Sequence, residues 1–304
     1  MPTSWPALAY DDWRATCDTL HAHTQVLGKL AVALAPPEPQ LQHAALRLTA
    51  RGWETLPLPA PDGSGAFVAA LDLRTHEAVT EHSDGRTARV ALAPDRPVGA
   101  VTRELLAAVG GLAGAVEIDP TPQEVAWTVP LDADQEHATY DPDQVAAYFA
   151  AATRAALVLA AFRAPYRGRS TPNNAWWGSF DLAVNLFSGE PADPPSDDFI
   201  MRNAMDMQEV AIGWWPGDPR YGRAAFYAFT HPAPDGFAEA DLGSGRWDGA
   251  LGEYVLDWND VRASADPHGT ALQFARSAFS HACLVCAWDP DLARTVEGVP
   301  PPVA

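Results

Sequence analysis

The chain has 304 residues, of which 47% are hydrophobic and 19% are charged, and its formal net charge is −19. This length suffices for two domains, or for one large domain, with a packed core. The acidic balance excludes binding to nucleic acid through a basic stripe and disfavours anionic membrane surfaces. Three cysteines, and an N-terminal sequence without a basic segment before an apolar run, predict a cytoplasmic protein without disulfides or a signal peptide. The single lysine, with abundant Ala and Pro, is typical of a GC-rich bacterial genome.

The first predicted half, residues 1–120, opens with a helix over residues 11–34, where apolar residues recur at helical spacing until a Pro-Pro pair. Five short strands follow, separated by turn sequences such as PDGSG and SDG, at residues 43–50, 54–58, 65–73, 77–81 and 87–92. A helix over residues 98–110 and a strand over residues 116–118 complete this half.

A Pro-rich, acidic connection over residues 121–142 leads to the second predicted half, residues 143–292, and to a flexible tail, residues 293–304. The elements of the second half are one helix, four strands and two more helices, at residues 145–162, 176–187, 209–215, 224–230, 252–256, 257–262 and 268–287. Arg154 interrupts the short apolar run within the first of these helices, so no membrane-spanning segment is expected.

The two halves resemble each other in the order of their elements. TQVLGKLAVALAPPEPQLQHAALRLTARG and AFRAPYRGRSTPNNAWWGSFDLAVNLFSG both proceed from a helix through a polar step to a strand and a glycine. The sequence therefore predicts an α+β fold of two similar helix–antiparallel β-meander–helix halves packed about a pseudo-two-fold axis. The two equivalent polar steps, residues 40–43 and 173–177, are expected to line a site between the halves.

Side chains alternate along a strand, so each half is expected to present one apolar and one polar sheet face. In the predicted strand 176–187 the polar face carries Trp177, Ser179, Asp181 and Asn185. The matching strand of the first half places His43, Arg47 and Arg51 together. Two interpretations remain open: a solvated face, as is common in antiparallel sheets, or a cavity wall in which Asp181 pairs with Arg47 or Arg51.

A second motif, MDMQEVAIGWWPG, places an acid shortly before two indoles and a Pro-Gly turn. Glu209 with Trp177, Trp214 and Trp215 would form an aromatic pocket around a carboxylate. Desolvation would raise the pKa of Glu209 and make it a usable general acid or base. The alternative is that the indoles simply pack in the core, because Trp is first of all a large hydrophobic residue.

Several long strings resemble a bacterial protein family of unknown function, in the right order and over nearly the whole chain. They include WPALAYDDW, LHAHTQVLGK, TARG, HATYDP, WGSFDLAVNLFSG, EVAIGWWPG, AFYAFTHPAPDGF and GEYVLDWNDVR. The resemblance implies no activity. It does imply a departure, because Gln40, Asn174 and Gln208 occupy positions where the family pattern has His, whereas His43 and Glu209 keep the pattern. Amides are poor ligands for transition metals and do not titrate, so a divergent member without a metal or other cofactor is expected.

A further polar line lies on the first predicted helix, where His21, Gln25 and Lys29 share one face. A solvated helix face is the expected interpretation, and a position lining an internal cavity is the alternative. Lys29 would act as a Schiff-base nucleophile only if burial depressed its pKa. Because Walker, Rossmann, nucleophile-elbow and H-E-x-x-H motifs are lacking, no nucleotide cofactor is expected.

The function predicted from these observations is binding of a small molecule in a Trp-lined pocket between the halves. It leaves open whether the protein is a metal-free enzyme, acting by acid–base chemistry or by templating an isomerisation or cyclisation. A specialised biosynthetic pathway would suit such a divergent member.

The alternatives are a non-catalytic sensing or interaction module and a metal-dependent hydrolase. No nucleic-acid or membrane partner is expected, and a homo-oligomer is left open. The predicted catalytic residues are Glu209 and His43, and the predicted binding residues are Gln40, Arg51, Asn174, Trp177, Asp181, Gln208, Trp214 and Trp215.

Overall fold

The computed structural model describes residues 5–293 and confirms an α+β fold with antiparallel sheets. The chain divides into two compact units. Unit 1 comprises the chain up to Thr153 together with Asn174–Leu182 and Pro216–Ala224, and unit 2 comprises Arg154–Asn173, Ala183–Trp215 and the chain from Ala225 onward.

The first sheet lies in unit 1 and has the strand order β1-β2-β4-β5-β6, with β3 paired to β4. Every neighbouring pair is antiparallel, and the longest register runs from Phe67 opposite His82 to Asp72 opposite Glu77. The elements are α1 (Tyr10–Leu34), a 3₁₀ helix η1 (Pro39–Ala44), β1 (Arg47–Leu48), β2 (Gly52–Glu54), β3 (Leu58–Pro59), β4 (Ala66–Asp72), β5 (Glu77–His82), β6 (Thr87–Ala91) and α2 (Val98–Ala113).

The second sheet has the order β11-β12-β10-β9-β8-β7. Strands β9 and β10 pair over seven residues each, from Ala225 opposite Trp215 to His231 opposite Glu209. The elements of this part are α3 (Pro142–Arg163), β7 (Asn174–Trp176), β8 (Asp181–Pro191), α4 (Phe199–Ala204), β9 (Met207–Trp215), β10 (Ala225–His231), η2 (Phe237–Glu239), β11 (Arg246–Asp248), β12 (Glu253–Asp257), α5 (Trp258–Ala263), α6 (Pro267–Val285) and α7 (Pro290–Ala293).

Four predicted strands are wrong. Residues 54–58 cover the end of β2, an irregular step over 55–57 and the start of β3. Residues 43–50 begin in η1, where Gln40 and Leu41 adopt positive φ angles of 52° and 53°, and β1 starts only at Arg47. Residues 116–118 form no strand. Residues 176–187 are interrupted by a turn over 177–180, so the side-chain alternation predicted across that turn does not hold.

Tertiary contacts hold this turn between β7 and β8. The carbonyl oxygens of Trp177 and Gly178 both lie 2.9 Å from Nε2 of His21 on α1, and the Trp177 indole donates to the Ala44 carbonyl at 3.1 Å. Phe180 completes the turn with a φ of +57°. Because the groups that stabilise the turn come from distant parts of the chain, the local alternation pattern gave no sign of it.

A ladder of rings forms the aromatic core of unit 1. Phe180 stacks on Trp53 and on Tyr148 with ring centroids 5.2 Å apart in each case, and Tyr148 also stacks on Trp13 at 5.1 Å. Trp53 is fully buried, and its Nε1 donates to the Tyr148 hydroxyl at 3.0 Å. The ladder ties together α1, β2, α3 and the turn before β8.

Helix α3 is longer than the apolar run predicted within it, and by length and composition it is the one helix among residues 5–293 that is able to cross a membrane. However, its buried residues recur every three or four positions, as in a helix that packs one face on a core. They are Val145, Tyr148, Ala151, Ala152, Ala155, Val158, Leu159 and Phe162. Leu157 on the other side is 54% exposed. The pattern is that of the core helix of a folded domain.

Candidate functional site

The ten residues predicted for the site fall into two groups, one in each compact unit. Unit 1 holds His43, Gln40, Arg51, Asn174, Trp177 and Asp181, and unit 2 holds Gln208, Glu209, Trp214 and Trp215.

Glu209 in unit 2 is a buried acid, with only 2% of its surface exposed. Its Oε1 accepts a hydrogen bond from Nδ2 of Asn185 at 3.1 Å, whereas its Oε2 is buried without a hydrogen-bond partner among the described residues. Desolvation by burial raises the pKa of Glu209 to about 8, while the Asn185 hydrogen bond opposes the shift. The side chain is therefore mostly protonated at neutral pH and is able to donate a proton.

The sheet face that carries Glu209 is aromatic. Alternation along β9 places Glu209, Ala211, Gly213 and Trp215 on one face, and the antiparallel register places His231, Phe229 and Tyr227 beside them on β10. Tyr227 lies 5.5 Å from Trp215 and 6.0 Å from Phe229 between ring centroids. A Cβ at Gly213 would lie 2.2 Å from Cζ of Tyr227, so only glycine leaves room for this ring. An acid thus ends a row of three rings.

Trp214 and Gln208 lie on the opposite face of β9. Trp214 is fully buried and packs edge-on against Trp258 of α5, with ring centroids 5.5 Å apart. Gln208 Oε1 accepts from the Ser188 hydroxyl at 3.2 Å. Of the indole pair in the WWPG motif, only Trp215 therefore shares the face of Glu209.

Two of the predicted polar residues of unit 1, Asn174 and Gln40, are linked by hydrogen bonds around β7. Asn174 is fully buried, accepts from Nη1 of Arg47 and donates to Oε1 of Gln42 at 3.1 Å. The Gln42 amide donates in turn to the Gln40 carbonyl at 3.0 Å. The amide at position 174 therefore acts as both donor and acceptor in this network.

His43 and Asp181 have local hydrogen-bond partners. Nδ1 of His43 accepts from the Glu38 backbone amide at 3.0 Å, and burial lowers the pKa of His43. The Asp181 carboxylate accepts from the Ser179 hydroxyl at 2.5 Å. Arg51, one of the two arginines considered as an ion-pair partner for Asp181, forms ion pairs with Glu54 at 2.8 Å and Glu81 at 2.9 Å.

The polar line on α1, expected to be solvated, is buried, and that expectation was wrong. His21, Gln25 and Lys29 are exposed by 9%, 0% and 4%, respectively. They lie beneath an irregular segment, which we call the 115–130 segment, whose Gln123 exchanges two backbone hydrogen bonds with the Gln25 amide, each at 2.9 Å. In the same segment Trp127 lies edge-on to the His21 ring at 5.9 Å.

An Asp–His pair next to this segment was missed by the sequence analysis. Asp134 is fully buried and accepts from Nδ1 of His137 at 2.7 Å and from two backbone amides. The His137 ring lies 4.8 Å from Trp127. A carboxylate bound to Nδ1 fixes the imidazole tautomer and orients Nε2 as an acceptor. Asp-x-x-His was the only local signal, and many surface turns carry it.

Trp177 lies flat against the backbone of α1. A Cβ on Gly28 would lie only 2.1 Å from Cγ of the indole, so the ring occupies space that any other residue would fill. Lys29, the next residue on the helix, places its Nζ 5.5 Å from the centre of the same ring. Glycine at position 28 thus brings an indole beside a buried amine.

Substitution of Gly28 by Ala is expected to lower the free energy of unfolding by about 3 kcal/mol, because neither the helix backbone nor the buried indole has room to move. Gly111→Ala in α2 is the matched control, since nothing lies within 4 Å of its added methyl group; there a gain of about 0.5–1 kcal/mol is expected. Urea unfolding of both variants measures the difference. Equal stability of the two variants would contradict the packing of Trp177 on Gly28.

A shallow groove of about 480 Å³ lies along α6 in unit 2, and none of the ten predicted residues lines it. Its polar lining comprises Asp241, Gln273, Arg276, Ser277, Ser280 and His281. Within the described part of the chain, no group of three or more His, Cys, Asp or Glu side chains is placed to hold a metal ion.

Residues 5–295 match the model of a protein family described as "Family of unknown function (DUF5996)". The chain belongs to the DUF5996 family. No curated protein and no solved structure matches it. Membership in DUF5996 agrees with the resemblance to a family of unknown function. It assigns no reaction to this chain.

Proposed function

We propose that this protein binds a small organic molecule in the cytoplasm, and that Glu209 acts on it as a metal-free general acid or base. The observation that carries the proposal is the state of Glu209, a buried acid whose Oε2 has no hydrogen-bond partner among the described residues and whose pKa is raised to about 8. An acid with a pKa near the working pH is the most effective proton donor and acceptor.

The surroundings of Glu209 support a flat or apolar ligand. Trp215, Tyr227 and Phe229 offer ring faces along one side of the sheet, and Asn185 offers a buried carbonyl oxygen, Oδ1, without a partner among the described residues. A ligand that stacks on a ring, accepts a hydrogen bond from the protonated Oε2 of Glu209 and donates one to Oδ1 of Asn185 would satisfy both groups. Convergent polar groups among apolar ones are the usual composition of such sites.

The finer architecture belongs to this proposal as well. It includes two similar helix–antiparallel β-meander–helix halves related by a pseudo-two-fold axis. The repeated order of a long helix followed by an antiparallel meander supports that arrangement.

Native mass spectrometry and metal analysis of protein purified without a His-tag test the proposal. We expect a co-purifying small molecule in the wild type, and its loss from Glu209→Gln and Phe229→Ala variants, since Phe229 lies opposite Ala211, the next residue on the face of Glu209. Glu190→Gln, at an exposed position of β8, is the matched control and should retain it. The same ligand content in the wild type and both site variants would contradict the proposal. Stoichiometric zinc, iron or manganese would instead support a metal-dependent hydrolase.

A further inference from the structure

The only lysine of the chain is buried. Lysine and arginine together number 20, and since one is Lys29, the other 20 − 1 = 19 are arginines. Lys29 is 4% exposed, although lysine is among the residues least often buried. Every other Lys or Arg position of the chain is arginine, so the lysine at this buried position indicates a role for a property that arginine lacks. Burial readily lowers the pKa of a lysine ammonium, whereas guanidinium stays charged.

The contacts of Lys29 leave its amine close to solvent. Nζ donates to Oε1 of Gln123 at 2.8 Å and lies 3.9 Å from a carboxylate oxygen of Asp119, whose side chain is 68% exposed. Both partners belong to the 115–130 segment, which contains no helix, strand or fully buried residue. On its inner side the amine faces the Trp177 ring at 5.5 Å. To reach the amine of Lys29, a small molecule therefore needs to displace only the irregular, partly exposed 115–130 segment.

The lowered pKa of Lys29 favours nucleophilic chemistry. Burial lowers the pKa of Lys29, and the nearby Asp119 carboxylate partly offsets this by raising it. A lowered pKa increases the fraction of neutral amine at physiological pH, and the neutral amine is the form that attacks a carbonyl carbon.

We propose that Lys29 is a covalent binding site for a small, uncharged aldehyde or ketone, which it holds as an imine over the Trp177 ring. The amine lone pair attacks the carbonyl carbon, and the proton released by nitrogen passes to the carbonyl oxygen to give a carbinolamine. Loss of the hydroxyl group with a second proton then yields the C=N bond and one water molecule. No oxidant, reductant or cofactor is needed.

Charge and space select the carbonyl compound. The Asp119 carboxylate, 3.9 Å from Nζ, repels an anionic keto acid and is placed to exchange protons with the carbinolamine hydroxyl. The Trp177 indole, whose ring centre lies 5.5 Å from Nζ, is the apolar group beside which the carbon chain would lie once the 115–130 segment is displaced. This site lies in unit 1 and uses none of the groups around Glu209, so either proposal stands if the other fails.

Reductive trapping tests the site directly, because a single lysine makes the product unambiguous. The folded wild type is treated at pH 7 with propanal and sodium cyanoborohydride, and the N-propyl adduct on Lys29 is quantified by peptide mapping. The reference is a Lys29→Arg, Arg202→Lys double variant, in which the sole lysine is at an exposed position of α4. We expect the rate at Lys29 to exceed that of the surface amine about tenfold and to saturate with propanal.

A rate at Lys29 equal to or below that at the position 202 amine, or modification only after unfolding in urea, would overturn the proposal and leave Lys29 as a tether for Gln123. An Asp119→Asn variant adds a readout that a tether would not show. Removing the carboxylate removes the interaction that raises the pKa of Lys29, so the pH midpoint of trapping should move to lower pH. Pyruvate in place of propanal should react more slowly with the wild type and recover in Asp119→Asn.

Discussion

A Glu209→Gln variant is expected to become more stable than the wild type as the pH rises, by about 5 kcal/mol above pH 8 relative to acidic solution. This free-energy difference follows from the pKa of Glu209, which is 4.5 in the unfolded chain and about 8 in the folded protein. Each pKa unit corresponds to roughly 1.4 kcal/mol. Burial is nearly complete, so solvent screening does not reduce the effect.

The sign follows from proton linkage. Between pH 4.5 and 8 the folded protein keeps the Glu209 proton and the unfolded chain does not, so stability falls as the pH rises. Above pH 8 both states are ionised, and the loss is complete. Glutamine has no proton to lose, so the variant lacks this part of the pH dependence.

Urea unfolding between pH 5.5 and 9 measures the effect, with about 3 kcal/mol of the difference falling in this range. Glu190→Gln is again the control and should follow the wild type throughout. Parallel stability curves for the wild type and Glu209→Gln would mean that Glu209 ionises like an exposed acid. The neutral proton donor on which the proposed function depends would then be absent.

Replacement of Trp53 by Ala is expected to cost about 4 kcal/mol of unfolding free energy, the usual range for deleting a buried aromatic ring. Trp53 is fully buried, stacks on Phe180 at 5.2 Å and donates to Tyr148. The loss therefore combines a cavity, a broken ring stack and a hydroxyl without its donor.

One further variant isolates the hydrogen-bond part of that loss of stability, and a second variant serves as a control. Tyr148→Phe removes only the acceptor of the Trp53 indole and should cost about 1 kcal/mol. Leu157→Ala on the exposed side of α3 is the control and should change stability by less than about 0.5 kcal/mol. If Trp53→Ala behaved like Leu157→Ala, the aromatic ladder would not be the core of unit 1.

Local pattern was sufficient for most elements of the fold. The periodicity of apolar residues predicted α1 to within one residue of its observed bounds, and α2, α3 and the strands β4, β5, β6, β9, β10 and β12 closely. These segments share a regular period and clear boundaries, because a glycine, a proline or an Asx turn lies near their ends. The α+β class follows from the same pattern.

Local pattern failed where distant groups determine the backbone. In WWGSFDL the alternation of side chains suits a strand, but His21 and Ala44 bind the turn that divides it. The polar line on α1 resembles a solvated face in sequence, and only the 115–130 segment, about 90 residues later in the chain, covers it. Neither partner is within the reach of a periodicity argument.

The sequence by itself determined the α+β class and most of its helices and strands. Tertiary structure decided that Phe229 and Tyr227 of β10 lie beside the face of Glu209, and that Lys29 is buried beside an indole. The reason is physical: periodicity is a property of neighbouring residues, whereas burial and pKa depend on which distant surfaces exclude water from a side chain.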